Sequence, residues 1–229
     1  MGTDDLFKKN RVEREDLKKK DPSRTAGKRF LIVCEGSKTE PYYFQEFCKV
    51  HKLSTLRVGI TPSERGSSPD CVVTYAEQLF DEEAQKLDRY DQVFCVFDRD
   101  QHSTFEAATQ RIEDLSATKP FVAIPSYPCF EYWLLLHFTY TRQPFDQTSK
   151  ISVCESVIRK LRKQTGFEHY EKAQKEIYSQ LRDRTDIAIK HAQQAEKDAG
   201  QTGEENPSTR VHHLVIELRN LVATHGRKR

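Results

Sequence analysis

The 229-residue chain carries 37 basic and 35 acidic residues, a formal net charge of +2, and 36% hydrophobic residues. That is enough apolar material for one core and too little for two large ones, and near-neutrality argues neither for nor against a nucleic-acid partner, so any basic patch has to be local. The charged first residues lack the apolar segment of a signal peptide, and the apolar run Trp133 to Phe138 falls far short of the ~20 residues of a membrane span.

Residues 1–28 alternate acids and bases and include Lys18-Lys19-Lys20-Asp21-Pro22. They read as a charged, solvated arm, with a basic arm that touches RNA or DNA as the sharper alternative. Phe30-Leu31-Ile32-Val33-Cys34 is apolar on both faces, the pattern of a buried parallel strand. Glu35 stands where that strand ends, and Gly36 allows a tight turn. Thr39 is placed to cap a helix with Pro41 in its first turn, and Tyr43, Phe44, Phe47 and Cys48 follow at helical spacing.

Leu56 to Thr61 alternates and predicts a second strand. Pro62 to Pro69 is a polar loop, and Val72, Val73, Ala76, Leu79 and Phe80 stripe the helix after it. Gln92 to Phe97 is a third, wholly apolar strand that runs into Asp98-Arg99-Asp100, Gln101 and His102. Ser103-Thr104-Phe105-Glu106 has the form of a capping box. Phe121 to Ile124 predicts a fourth strand, stopped by Pro125. Pro128 to Phe138 predicts a largely buried helix carrying one acid, Glu131. Thr139 to about Gly200 is polar and helical, interrupted near Pro144 and Gly166. Asn206-Pro207 starts a final amphipathic helix with Val211, Leu214, Val215, Leu218 and Val222 on one face, ended by Gly226 before the basic Arg227-Lys228-Arg229.

Alternating strands and helices of these lengths predict an α/β fold, a Rossmann-like parallel sheet flanked by helices. The chain divides into the arm (1–28), an α/β core (29–138) and a helical C-terminal elaboration packing on it (139–229). Six cysteines occur with no CxxC pair. Cys34 and Cys95 fall in predicted buried strands, so the chain reads as cytoplasmic with reduced thiols.

Two wholly apolar strands each end in acid. If they are parallel neighbours, Glu35, Asp98 and Asp100 converge on one sheet edge, with Arg99 facing the other way. Like charges ~4 Å apart repel by roughly 4 kcal/mol at an effective dielectric near 20, which protonation or a bound cation must relieve. All-oxygen ligands suit Mg²⁺ or Mn²⁺; no Cys/His set has the spacing of a zinc site. The competing account is that Glu35 caps a helix and the aspartates close a turn.

At these residues the chain resembles a Toprim domain, the fold shared by type IA and II topoisomerases, bacterial primases and OLD-family nucleases. Glu35 matches the acid after that family's first strand, and Asp98 and Asp100 match the Asp-x-Asp after its third. A closer resemblance is to the RloB-like proteins, a Toprim-related family of bacterial and archaeal defence loci. It rests on Cys34-Glu35-Gly36-x-x-Thr39-Glu40-Pro41-x-Tyr43-Phe44, Asp98-Arg99-Asp100, Pro128-Cys129-Phe130-Glu131-x-Trp133-Leu134-Leu135-Leu136-His137-Phe138 and Asn206-Pro207-Ser208-Thr209. The resemblance implies a Toprim-like fold, a defence role, and an ABC- or AAA-type ATPase encoded alongside. The sequence has no primase zinc module, no topoisomerase active-site domain and no G-x-x-x-x-G-K-[ST] loop, which favours cutting nucleic acid over joining or priming it.

The expectation is therefore a metal-dependent nuclease acting on DNA or RNA, tRNA included. Glu35 is assigned as general acid/base or metal ligand, and Asp98 and Asp100 as ligands of Mg²⁺ or Mn²⁺. Glu131 is a further ligand or a buried ion-pair partner. Lys38 and Arg99 are phosphate contacts or plain surface charges, and His102 and His137 are helix-flanking or core histidines. The alternative is a non-catalytic adaptor whose final helix docks an ATPase. A receiver-type phospho-acceptor at Asp98 is weaker, because no matching Thr and Lys pattern follows on later strands. Either main reading admits an oligomer.

Overall fold

The computed structural model describes residues 28–54, 57–86, 89–99, 103–148 and 150–226. Residues 1–27 of the charged arm, Leu56, Asp100, His102 and the basic tail lie outside them. Four parallel strands, β1 (Phe30–Cys34), β2 (Val58–Pro62), β3 (Gln92–Asp98) and β4 (Phe121–Tyr127), and a two-residue antiparallel strand, β5 (Ser208–Thr209), form one sheet in the order β2-β1-β3-β4-β5. Cys34 lies opposite Val96 on β3 and Pro62 on β2, so β1 and β3 are adjacent central strands, as their sequences predict.

Each strand alternates its side chains between two apolar layers. Phe30, Ile32, Cys34, Phe94, Val96 and Ile124 face α1 (Thr39–Val50) and the C-terminal helices. Leu31, Val33, Val93, Cys95, Phe97 and Phe121 face α2 (Pro69–Gln85) and α3 (Phe105–Ser116). Burial on both faces is why β1 and β3 read as unbroken apolar runs. The remaining helices are α4 (Glu131–Leu135), α5 (Val153–Leu161), α6 (Ile177–Leu181), α7 (Thr185–Thr202) and α8 (Val211–Gly226). Leu161, Leu181, Ala192, Leu214 and Leu218 complete the first layer, so residues beyond 139 share the core of the sheet.

Several local expectations are corrected. Pro125 does not stop β4. Its carbonyl accepts the Arg210 N–H at 2.9 Å, so its main-chain groups point toward the short β5 edge, where a missing N–H breaks no bond to β3. No capping box forms before α3, where Thr104 caps without a side-chain hydrogen bond. The predicted Pro128–Phe138 helix shrinks to five α-helical residues. The final helix starts at Val211, because residues after the cis Asn206–Pro207 peptide are used to pair β5 with β4. The thiols are not all reduced: Cys129 and Cys154, 25 residues apart, are joined by a disulfide with Cα atoms 5.8 Å apart. The strand-to-helix connection after β4 brings Cys129 beside the first turn of α5, a proximity no spacing motif announces.

Candidate active site

The chain runs from β1 outward to β2 in one direction and through β3 to β4 in the other. The crevice at the carboxyl ends of β1 and β3 is therefore the topological switch point where open α/β sheets bind ligands. Glu35, the first residue past β1, donates its main-chain N–H to Val96 O at 2.9 Å. Its Oε2 accepts the main-chain N–H of Asp98 at 2.8 Å. That bond sets two of the expected site residues side by side across the seam.

Two more acids join them. Glu40, the second residue of α1, is only 6% exposed. Gly36 makes room for it, since a Cβ at Gly36 would stand 2.2 Å from Glu40 Oε2. Glu131 opens α4 and is 2% exposed. Its Oε1 accepts the Tyr170 hydroxyl at 3.3 Å and faces Lys172 Nζ at 3.7 Å. Its Oε2 lies 3.2 Å from Cys154 Sγ; a bridged sulfur has no proton to donate, so this is a packing contact. Glu35, Glu40, Asp98 and Glu131 line one pocket of about 380 Å³ together with Gly36, Lys38, Thr39 and Lys172.

Lys172 belongs to the segment between α5 and α6, where Ala173 (φ 67°) and Glu176 (φ 61°) adopt left-handed backbone. Such residues cost on the order of 1–3 kcal/mol each and persist where surrounding contacts hold them. One such contact is the Ala173 N–H donated to Thr39 Oγ1 at 3.0 Å. Thr39 is thus not the helix cap that the sequence predicts, but a tie between α1 and the lysine-bearing loop.

The electrostatics follow from packing Glu40 and Glu131 out of water beside the half-buried Glu35 and Asp98. Burial pushes Asp98 well above the usual carboxylate range, with Glu40, Glu131 and Glu35 adding repulsion and Lys172 opposing. Burial first, then Glu131 and Glu35, lift Glu40 to about 7 against the pull of its main-chain N–H and of Lys172. Glu131 is raised by burial and held back chiefly by Lys172, its own main-chain hydrogen bond and Tyr170. Such a pocket favours protons or a cation.

The other expected residues are placed differently. Lys38 is exposed on the pocket lining. Arg99 turns away from the acids: it pairs with Glu106, lies 4.8 Å over the Phe105 ring, and lines a separate cavity of about 610 Å³. Asp100 and His102 fall outside the described residues. His137 is a core histidine, its Nδ1 3.0 Å from Trp133 O and its pKa pushed down to about 4 by burial.

A family model described as RloB-like protein matches residues 30–218. The chain belongs to the RloB-like family. No curated protein and no solved structure matches it. In this RloB-like chain the matched span includes the whole sheet and all four clustered acids. Glu40 and Lys172 carry the part of the site that sequence reasoning did not assign. The signal available for Glu40 was an acid five residues after Glu35 and four after Gly36, on a helix whose other inward residues are apolar. Lys172 left none.

Proposed function

We propose that this pocket is the active site of a Mg²⁺- or Mn²⁺-dependent nuclease that acts with a partner ATPase in anti-phage defence. The observation that carries the reading is the convergence of Glu35, Glu40, Asp98 and Glu131 on one pocket at the carboxyl ends of two adjacent parallel strands. The donor set suits a hard cation, being all oxygen and short of positive charge. Among the described residues no three of these carboxylates bring an oxygen each within 4.8 Å of one another. The pocket is therefore no closed cage, and Mg²⁺ needs none: it is usually held by one or two carboxylates, with waters and substrate phosphates completing its shell.

Asp98 and Glu35 would hold the ion, with Glu131 on the lining of the same pocket. When bound, the ion neutralises charge on the scissile phosphate and its departing oxygen. The chain's own groups do the rest. Glu40, with a pKa of about 7, is partly protonated at neutral pH and can give or take a proton at the reacting oxygens. Glu35, fixed by the Asp98 N–H, is the second acid/base candidate. Lys172 and Lys38, both on the pocket lining, offer positive charge to phosphate. The ATPase partner rests on family resemblance and on the lack of a phosphate-binding loop in this sequence.

The adaptor reading has a final helix free to dock a partner, yet Val211, Leu214, Val215 and Leu218 are buried in the protein's own core. The test is cleavage of labelled DNA, mRNA and tRNA by purified protein, with and without its neighbouring ATPase, in Mg²⁺ or Mn²⁺. Cleavage that needs the metal and disappears in Asp98→Asn and Glu35→Gln is expected. Cleavage that survives both substitutions, or none on any substrate with the ATPase present, overturns the proposal.

A further inference from the structure

On the β4–β5 side of the sheet, away from the acid pocket at β1 and β3, α7 and α8 bring together a second set of ligand-type side chains. Glu196 of α7 and His212 and His213 of α8 each place one ligating atom within 4.8 Å of the others. Glu196 Oε2 is the common point, 3.3 Å from His212 Nε2 and 2.8 Å from His213 Nε2. The two imidazole rings lie 4.1 Å apart. Arg210 Nε holds the other Glu196 oxygen at 3.1 Å, which fixes the carboxylate's orientation and leaves Oε2 to the histidines.

His212 makes the arrangement specific. It is 1% exposed, and its Nδ1 sits 3.2 Å from the Thr209 carbonyl oxygen. A carbonyl can only accept, so Nδ1 carries the proton, and a neutral His212 then presents the Nε2 lone pair to Glu196 Oε2. Two acceptors then face each other at 3.3 Å, one of them on a histidine that is 1% exposed, and a positive species, a proton or a metal ion, must stand between them. A ring N–H held by a backbone carbonyl, with the other nitrogen presented to a carboxylate-bearing site, is how metal-binding histidines are commonly oriented. The edge of a tetrahedron built on ~2.0 Å bonds to nitrogen and oxygen is about 3.3 Å, close to the His212–Glu196 separation. The His213–Glu196 separation needs to open by about half an ångström to match, and His213, half exposed on the surface side, has room to do so.

The geometry points to a binding site for a divalent transition ion of the Zn²⁺ class, held by Glu196, His212 and His213. Two imidazoles and one carboxylate are a donor set for Zn²⁺ rather than for Mg²⁺. The fourth position opens on a cavity of about 400 Å³ lined by Glu196, His213 and Glu217. Glu217 follows His213 by one helical turn, on the same face of α8, and can close the shell directly or through water. The ion would clamp α7 to α8 over β4, a site independent of the acid pocket.

Calorimetric titration of Zn²⁺ and optical titration of Co²⁺ into the tag-free full-length protein test this. The comparison is with His213→Ala, which changes a half-exposed side chain, with Glu196→Gln, and with Asp98→Asn and Cys154→Ser as controls for the other ligand clusters. The expected result is one equivalent, over and above any ion taken by the acid pocket, that wild type and both controls bind and whose affinity falls 10–100-fold in His213→Ala and Glu196→Gln. Zn²⁺ should also raise the melting temperature of wild type and not of His213→Ala. Unchanged binding in His213→Ala and Glu196→Gln, binding lost in Cys154→Ser or Asp98→Asn instead, or no binding by wild type would overturn the site and leave a proton-bridged ion pair.

Discussion

Glu40→Gln isolates the electrostatic cost of the acid pocket. The Glu40 carboxyl ordinarily titrates near 4.5 and is lifted to about 7 in the folded protein, first by burial and then by its acidic neighbours. At ~1.4 kcal/mol per pH unit, its ionised form costs the fold about 3 kcal/mol. The sign follows from proton binding: between pH 4.5 and 7 the folded state holds the proton more tightly than the unfolded chain, so stability falls as pH rises through that window. Glutamine keeps the shape and an acceptor for the main-chain N–H but cannot ionise. In metal-free buffer the variant should match wild type at pH 4.5 and exceed it by about 2–3 kcal/mol at pH 8, a melting shift of roughly 5–10 °C for a chain of this size. Urea or thermal unfolding at both pH values, with chelator and with Mg²⁺, provides the measurement. Mg²⁺ should stabilise wild type more than the variant at pH 8, by mass action. A variant less stable than wild type at both pH values by the same amount would refute the reasoning, because Glu40 would then be a structural hydrogen-bond partner without a charge penalty.

Gly36→Ala should destabilise the protein by about 1–3 kcal/mol through overpacking against the Glu40 carboxylate, and Glu40→Ala in the same chain should relieve most of it; denaturant titration of the double-mutant cycle reads the coupling. His137, depressed from 6.5 to about 4 by burial, contributes stability above pH 6.5 that is lost as pH falls toward 4. The loss is about 3 kcal/mol, read as the pH-dependent difference between wild type and His137→Leu, in which the opposite-signed contributions of Glu40, Asp98 and Glu131 cancel.

What could be read from sequence follows from what each pattern depends on. Phe30–Cys34 and Gln92–Phe97 are apolar throughout because both faces of central parallel strands are buried, a constraint expressed within five or six residues. An acid immediately past each strand then locates Glu35 and Asp98 at one crevice. Glu40 was hidden because an acid in the first turn of a helix already has an ordinary explanation in the helix dipole. Only the packed structure shows that Gly36 is a cradle for its carboxylate as well as a turn residue. Lys172, Thr39 and the Cys129–Cys154 pair depend on where a long irregular segment returns to the sheet, which no local periodicity encodes. The late start of α8 has the same origin, since Ser208 and Thr209 are taken by pairing with Tyr127 and Ser126.

The central claim is that the four clustered carboxylates form a divalent-cation site. Titration of Mn²⁺ into the full-length protein, followed by electron paramagnetic resonance, tests it most directly when wild type is compared with Asp98→Asn, Glu40→Gln and His213→Ala. The account predicts Mn²⁺ binding that Mg²⁺ displaces, that weakens at least tenfold in Asp98→Asn and less in Glu40→Gln, and that is unchanged in His213→Ala. Mn²⁺ affinity unaffected by Asp98→Asn, or lost in His213→Ala instead, would contradict it.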